Sequence, residues 1–247
     1  MLTENFLSDL DKDGIAIVDN AFNTEDLIAF NKVASKLPPF VGHGNGRWLN
    51  NPDVLSEAKI KNIDWACHWA QTPKNNLFIN TIMLPLLKSI CDVLFGNKDW
   101  GWQLTNRYIM SNYKHDYPIQ PHLDAPYLWP QKLECEMSKY LDKGPLSVTF
   151  MIPLVDFTIE NGATAYVPGT HRYIYNTTNW NEEKPFYKAF FENNYVQPPV
   201  SLGGFSCFYG NVLHSIMPNK TNQIRRGIIF RGIRQDALNE MQKLNLG

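Results

Sequence analysis

The chain has 247 residues, 44% of them hydrophobic and 19% charged, enough apolar material to bury a substantial core. Its formal charge is -1 and it has no long run of Lys or Arg, which argues against a nucleic-acid polymer as partner. No segment approaches the roughly 18 apolar residues of a membrane span, and Met1-Leu2-Thr3-Glu4-Asn5 lacks both a basic and an apolar leader region, so a soluble cytoplasmic protein is expected.

Taken in chain order, residues 3 to 12 predict a short helix with Phe6, Leu7 and Leu10 on one side, ended by Gly14, before a strand at Ile15-Ala16-Ile17-Val18. A second helix starts at Asn23 or Thr24, either of which can cap the first-turn amides, and carries Leu27, Ile28, Phe30 and Val33 up to Pro38-Pro39. Residues 41 to 51 form a glycine-rich loop with His43, Arg47 and Trp48. Helical spacing is expected over 53 to 71, around Trp65, Cys67, His68 and Trp69, and over 76 to 95, where Pro85 can divide the helix and Gly96 follows it. From Trp100 onward the pattern turns to strands: Gln103 to Met110, His122 to Leu128, Leu146 to Val155, Ala163 to Val167, Leu202 to Tyr209, Val212 to Met217 and Arg226 to Ile233. The polar stretches 131 to 144 and 173 to 199 read as insertions between strands.

About seven or eight short strands after a helical opening predict a mainly β protein with flanking helices, of jelly-roll or related barrel type. We expect one domain over 1–247, with a helical part to about residue 99 and a β-barrel core to about residue 233. Cys67, Cys91, Cys135 and Cys207 stand far apart without a Cys-x-x-Cys pair, the usage of reduced cytoplasmic thiols.

The chemistry gathers in a few residues. His122-Leu123-Asp124 places two metal-ligating types at i and i+2, on one face of a strand. With six histidines and fourteen aspartates such a triplet arises by chance about one time in three, so it is weak alone. His214 lies on an apolar strand, where a lone histidine is more often a hydrogen-bonded core residue than a ligand. Arg225-Arg226 at the head of the next strand alters that weighting, since a guanidinium facing a barrel interior calls for an anion such as a dicarboxylate, the bland alternative being a surface ion pair. Neighbours on a strand face opposite ways, so only one of the two arginines can serve, and spacing from His214 favours Arg225. Two histidines and one carboxylate with open positions are the donor set of non-haem iron oxygenases.

The ordered motifs resemble those of the phytanoyl-CoA dioxygenase family of Fe(II)- and 2-oxoglutarate-dependent oxygenases. The family's helix, glycine and strand are similar to Leu10 through Val18; its His-x-Asp to His122 and Asp124; its Glu-Asn-Gly to Glu160-Asn161-Gly162; and its Val-Pro-Gly-Ser-His-Arg to Val167-Pro168-Gly169-Thr170-His171-Arg172. The family's distal histidine and the arginine eleven residues later correspond to His214 and Arg225, with Asn219-Lys220-Thr221 between them. The resemblance runs from near residue 6 to near residue 233.

It implies a double-stranded β-helix of the cupin-like kind, with Fe(II) on His122, Asp124 and His214 and 2-oxoglutarate on Arg225. It further implies O2 as co-reactant, with ascorbate as a candidate reductant. His171 falls in a structural turn of the family and is not assigned to iron. Relatives of this kind place further cosubstrate contacts on the strand before the metal motif, which makes Thr105, Asn106 and Tyr108 candidates. Trp48, Tyr127 and Trp129, with Asp116 and Tyr117, are candidates for the substrate mouth. Halogenating relatives replace the metal-binding carboxylate with a small residue; Asp124 at that position implies hydroxylation or a related oxidation of a small molecule, with release of succinate and CO2. The competing reading is a cupin-type jelly roll that holds a metal or small ligand without oxygenase activity, which needs the histidines but not Arg225.

Overall fold

In the computed structural model the described residues are 4–37, 67–72, 75–97, 99–114, 116, 121–124, 144–172 and 180–243. Helix α1 (Glu4–Asp13) leads into β1 (Ile15–Val18), and α2 (Thr24–Ala34) follows, capped by Asn23, whose side chain accepts from the amides of Glu25 and Asp26. A π-helical turn, Ile79–Met83, runs into α3 (Leu84–Phe95). Pro85 follows directly on this turn inside one continuous helical run, where the wider bonding of the π-turn, Leu84 N–H to the Ile79 carbonyl, accommodates a residue without an N–H.

The strands are β2 (Cys67–Gln71), β3 (Trp100–Asn112), β4 (Ser147–Pro153), β5 (Thr164–Tyr166), β6 (Phe205–Tyr209), β7 (His214–Ile216) and β8 (Arg225–Arg234). Helix α4 (Trp180–Asn194) precedes β6, and α5 (Gln235–Lys243) follows β8. Six strands pair antiparallel in the order β1-β6-β4-β8-β3-β2. The smaller sheet pairs β5 with β7, and His122 bridges to the other side of β7 at His214. This is a jelly roll, its larger sheet backed by helices.

Alternation along the strands assigns the two faces of the large sheet. Ile109, Val148, Phe150, Ile152, Phe205, Cys207, Ile228 and Phe230 pack outward with Leu27 and Phe30 of α2 and Leu87 and Ile90 of α3. Their sequence neighbours Met110, Met151, Phe208 and Ile229 pack inward with Phe157, Ala163, Tyr166, Val212 and Ile216, joining the two sheets. Because β4 is buried on both faces, it reads in the sequence as a largely apolar run, whereas β8, equally buried, sets Gly227-Ile228-Ile229-Phe230 between Arg225-Arg226 and Arg231.

Three expectations are corrected. Cys67–Gln71 is a strand at the edge of the large sheet, not the end of a helix, because its backbone pairs with β3 from Tyr108 to Asn112. The stretch 173 to 199 is not a loop throughout, since α4 lies within it and buries Tyr187 and Phe191 on one side. The strand expected from His122 is an isolated bridge at His122 within the described residues. Residues 38–66, including Trp48 and its loop, lie outside the described residues, as do Tyr117, Tyr127, Trp129, Cys135 and 131–143. Among the described residues no helix is long and apolar enough to cross a membrane.

Candidate metal centre

His122 and His214 face each other across an antiparallel bridge, each donating its backbone N–H to the other's carbonyl at 2.9 and 3.0 Å. Their rings lie 4.4 Å apart. Asp124, two residues beyond His122, turns Oδ1 toward both, 3.8 Å from His122 Nε2 and 3.8 Å from His214 Nε2. One donor atom from each side chain thus falls within 4.8 Å of the others, and these three residues form the one His/Cys/Asp/Glu cluster of metal-ligating geometry among the described residues.

The donor chemistry fits a divalent ion. His214 Nδ1 lies 2.9 Å from the Val212 carbonyl, which can only accept, so the proton is on Nδ1 and the Nε2 lone pair faces Asp124. Cis ligand atoms of a six-coordinate ion with bonds of about 2.1 Å stand about 3 Å apart. The observed 3.8 Å separations need only a small inward shift.

Two of the motifs noted in the sequence brace this cluster from behind. The Thr170 hydroxyl donates to the Val167 carbonyl at 2.7 Å and accepts from the Leu213 amide at 2.9 Å, fixing the residue before His214. Gly14 closes α1 through its amide on the Leu10 carbonyl, at φ 76°, and packs directly on His171 and Val212. His171 belongs to this brace, with Nε2 at 3.1 Å from the Asp11 carbonyl and its ring beside Tyr209, away from the metal cluster.

Asp124 is buried, and its second oxygen is engaged. Oδ2 accepts from Thr149 Oγ1 at 2.9 Å and pairs with Arg231 Nη2 at 2.5 Å, while Arg231 Nε donates to the same Thr149 oxygen at 3.1 Å. Burial alone would raise the carboxyl pKa, but Arg231, then the two histidines and the Thr149 bond, hold it far below the usual range. His214 moves down to about 4, first through burial and then through His122, with the pull of Asp124 opposing. The centre therefore offers a carboxylate and a neutral distal imidazole near neutral pH. Sequence reasoning missed Arg231 and Thr149; the available signal was a charged residue directly after the apolar run Gly227-Ile228-Ile229-Phe230, six positions beyond Arg225 and so on its face of β8.

Arg225 is fully buried, its guanidinium 4.5 Å from the Phe157 ring centre, and its charge reaches Tyr166, whose phenol is raised to about 12 by burial. The Tyr166 ring in turn stacks 6.3 Å from His214, so Arg225 and the metal cluster flank the same interior. Arg226 points the other way, donating to Ser111 Oγ at 3.0 Å and to Asn31 Oδ1 of α2 at 2.8 Å. The turn between β7 and β8 is organised by Asn219, which donates to the Asn112 and Gln223 carbonyls and accepts from the Thr221 amide and hydroxyl. Tyr108 pairs with Ile229 and shares the inward side of β3 with Met110. The register shifts between Trp102 and Arg107, and the side chains of Thr105 and Asn106 there lie outside the described residues.

The comparisons with known proteins agree with this geometry. HygX from Streptomyces hygroscopicus, solved with nickel and 2-oxoglutarate bound, superposes with a TM-score of 0.64 at 14% identity, over 95% of this chain and 88% of its own. The non-heme alpha-ketoglutarate-dependent epimerase SnoN from nogalamycin biosynthesis gives 0.62 at 14% identity, over 94% and 82%. At these identities the likeness is one of fold. In sequence, dioxygenase trt7 of Aspergillus terreus is 28% identical over 145 residues, 58% of this chain and 45% of that protein. Dioxygenase lolE1 of Epichloe uncinata is 27% identical over 161 residues, 64% and 53%. The chain spans about half the length of these curated relatives. The family profile described as phytanoyl-CoA dioxygenase (PhyH) matches residues 10–227, nearly the whole chain, which therefore belongs to the phytanoyl-CoA dioxygenase family.

Proposed function

We propose that this protein is an Fe(II)- and 2-oxoglutarate-dependent dioxygenase that hydroxylates a small molecule in the cytoplasm. The observation that carries the reading is the convergence of His122 Nε2, His214 Nε2 and Asp124 Oδ1 in a barrel whose interior also receives the buried Arg225. The three donors would hold the ion on one face. With the ion, the keto acid and O2 bound, the overall chemistry is R–H + 2-oxoglutarate + O2 → R–OH + succinate + CO2.

This chain's residues supply the setting for that reaction. Arg225 would take the far carboxylate of 2-oxoglutarate, with Phe157 holding the guanidinium in place. Tyr108, on the inward side of β3, and Thr105 and Asn106 in the same strand are offered as further cosubstrate contacts. Met151, Tyr166 and Phe208 keep water from the inner side of His214, and His122, whose side chain is 23% exposed, marks the side from which a substrate would enter. Trp48, Tyr127 and Trp129 remain the proposed substrate residues. Asp124 occupies the position at which halogenating relatives carry a small residue, which favours hydroxylation. The buried free thiols Cys91 and Cys207 favour a reducing compartment. HygX has been solved with hygromycin B and SnoN with Fe3+, alpha ketoglutarate and nogalamycin RO, which supports a small-molecule substrate here.

Addition of 2-oxoglutarate to the anaerobic ferrous protein should produce a visible absorption band, and a substrate screen should find succinate release coupled to O2 uptake. His122→Ala and Asp124→Ala should abolish succinate formation. Persistent turnover in both would remove the site, and an unchanged spectrum with 2-oxoglutarate would leave a cupin-type binding protein.

A further inference from the structure

Asp124 presents its two oxygens to different surroundings. Oδ1 faces both imidazoles, and Oδ2 faces a two-residue clamp. Thr149 and Arg231 are direct partners in the β4–β8 register, so their side chains leave the sheet together on its inward face. Thr149 Oγ1 donates to Oδ2 and accepts from Arg231 Nε, while Arg231 Nη2 closes on Oδ2 itself. Thr149, Arg231 and Asp124 are all buried, so water does not compete for these bonds. Rotation of the carboxylate would break two charge-assisted or buried bonds at once.

We propose that Arg231, with Thr149, is a positioning residue that restricts Asp124 to one-oxygen ligation. Resting on the reading of the cluster as a metal centre, this gives the clamp a specific role. A carboxylate free to turn can chelate an ion with both oxygens and fill a position that a bidentate keto acid needs. The clamp keeps Oδ2 out of the coordination sphere and so reserves that position. Arg225 and Arg231 thereby divide the work of one strand face, the first for the cosubstrate's far end and the second for the ligand carboxylate.

The test uses the full chain loaded with Co(II), whose d–d absorption reports coordination directly. The variants are Thr149→Val, Thr149→Ser, Arg231→Lys and Arg231→Gln. Thr149→Val is nearly isosteric but lacks the hydroxyl, whereas Thr149→Ser keeps the hydroxyl and loses a buried methyl. Before any cosubstrate is added, the d–d bands should shift in Thr149→Val and both Arg231 variants, and Thr149→Ser should reproduce the wild-type bands. Affinity for 2-oxoglutarate should fall about 10–100-fold in the Arg231 variants.

A packing role predicts the reverse order for Val and Ser, and that order would overturn the proposal. Wild-type bands in both Thr149→Val and Arg231→Lys would also overturn it. If the Arg231 variants fail to fold, the Thr149 pair decides alone. A clamp-dependent Co(II) spectrum with no response to 2-oxoglutarate in any form would sink the cosubstrate reading and leave this one standing.

Discussion

Replacing Gly14 with alanine tests how the fold reaches the metal centre. Gly14 and Gly169 have nearly the same φ, 76° and 77°, in the left-handed region, so an added Cβ meets a comparable backbone penalty at each, roughly 1 kcal/mol. Their surroundings differ. At Gly169 a Cβ would meet nothing within 4 Å, whereas at Gly14 it would overlap His171 Nδ1 and stand 2.6 Å from Val212 Cγ2. Overpacking of this kind costs about 1–3 kcal/mol more. Gly14→Ala should therefore lose about 2–4 kcal/mol and Gly169→Ala about 1 kcal/mol. For a chain of this size the first corresponds to a fall in Tm of roughly 4–16 °C. Val212 carries the carbonyl that orients His214, so Gly14→Ala should also weaken Co(II) binding, and Gly169→Ala should not. Urea unfolding of the metal-free protein, followed by tryptophan fluorescence, measures the first effect and Co(II) titration the second. Equal losses in the two variants would refute the packing argument, and a loss below about 0.5 kcal/mol for Gly14→Ala would refute the strain as well.

Arg225→Ala should raise the dissociation constant for 2-oxoglutarate roughly 10–100-fold with Co(II) binding retained, the loss of a charge-assisted bidentate contact. Arg226→Ala should leave that constant unchanged and lower stability by about 1–3 kcal/mol through its lost bonds to Asn31 and Ser111; the opposite pattern would exchange their roles. Gly227→Ala would bring a Cβ within 2.5 Å of Phe157 Cζ, beneath the Arg225 guanidinium, and should weaken 2-oxoglutarate binding severalfold in the same titration. Stability of the metal-free protein should depend on acid. His214 titrates at about 4 in the fold against about 6.5 unfolded, so between those values the unfolded chain takes up a proton that the folded one refuses. Stability should thus be full above pH 6.5 and fall by about 3 kcal/mol toward pH 4, with Asp124, whose folded pKa is depressed, adding further loss below that. Equal urea midpoints at pH 7 and 4.5 would contradict the burial of His214.

Much of the site was legible because its residues sit at spacings with geometric meaning. His122 and Asp124 share a face by the two-residue period, and the motif order brought His214 and Arg225 into the same barrel. What was hidden depended on pairing across the chain. β2 owes its extended form to hydrogen bonds with β3, whereas the cluster Trp65, Cys67, His68 and Trp69 fits a helical period as well as an alternating one. Among the described side chains of helix α4, Tyr187 and Phe191, four residues apart, mark the buried side, within a segment that also carries many polar residues. The Thr149–Arg231 clamp required the β4–β8 register, and nothing local to Thr149 announces it.

Strand β8 shows how core packing can select a functional residue. Its outward series Arg226, Ile228, Phe230 and Gly232 meets α2, α3 and the apolar cluster beneath them, where Gly232 leaves room for Cys91 Sγ. Its inward series Arg225, Gly227, Ile229 and Arg231 lines the interior shared with the metal cluster. A slip of one residue would put Ile228 and Phe230 in the polar centre and drive Arg225 and Arg231 toward the apolar cluster under the helices, among Leu27, Phe30, Leu87 and Ile90. The apolar residues therefore fix the register far more strongly than the arginines could, since a buried guanidinium contributes little net stability of its own. In this way Ile228 and Phe230, which touch neither metal nor cosubstrate, decide that Arg225 rather than Arg226 faces the barrel and that Arg231 arrives opposite Thr149 to hold Asp124.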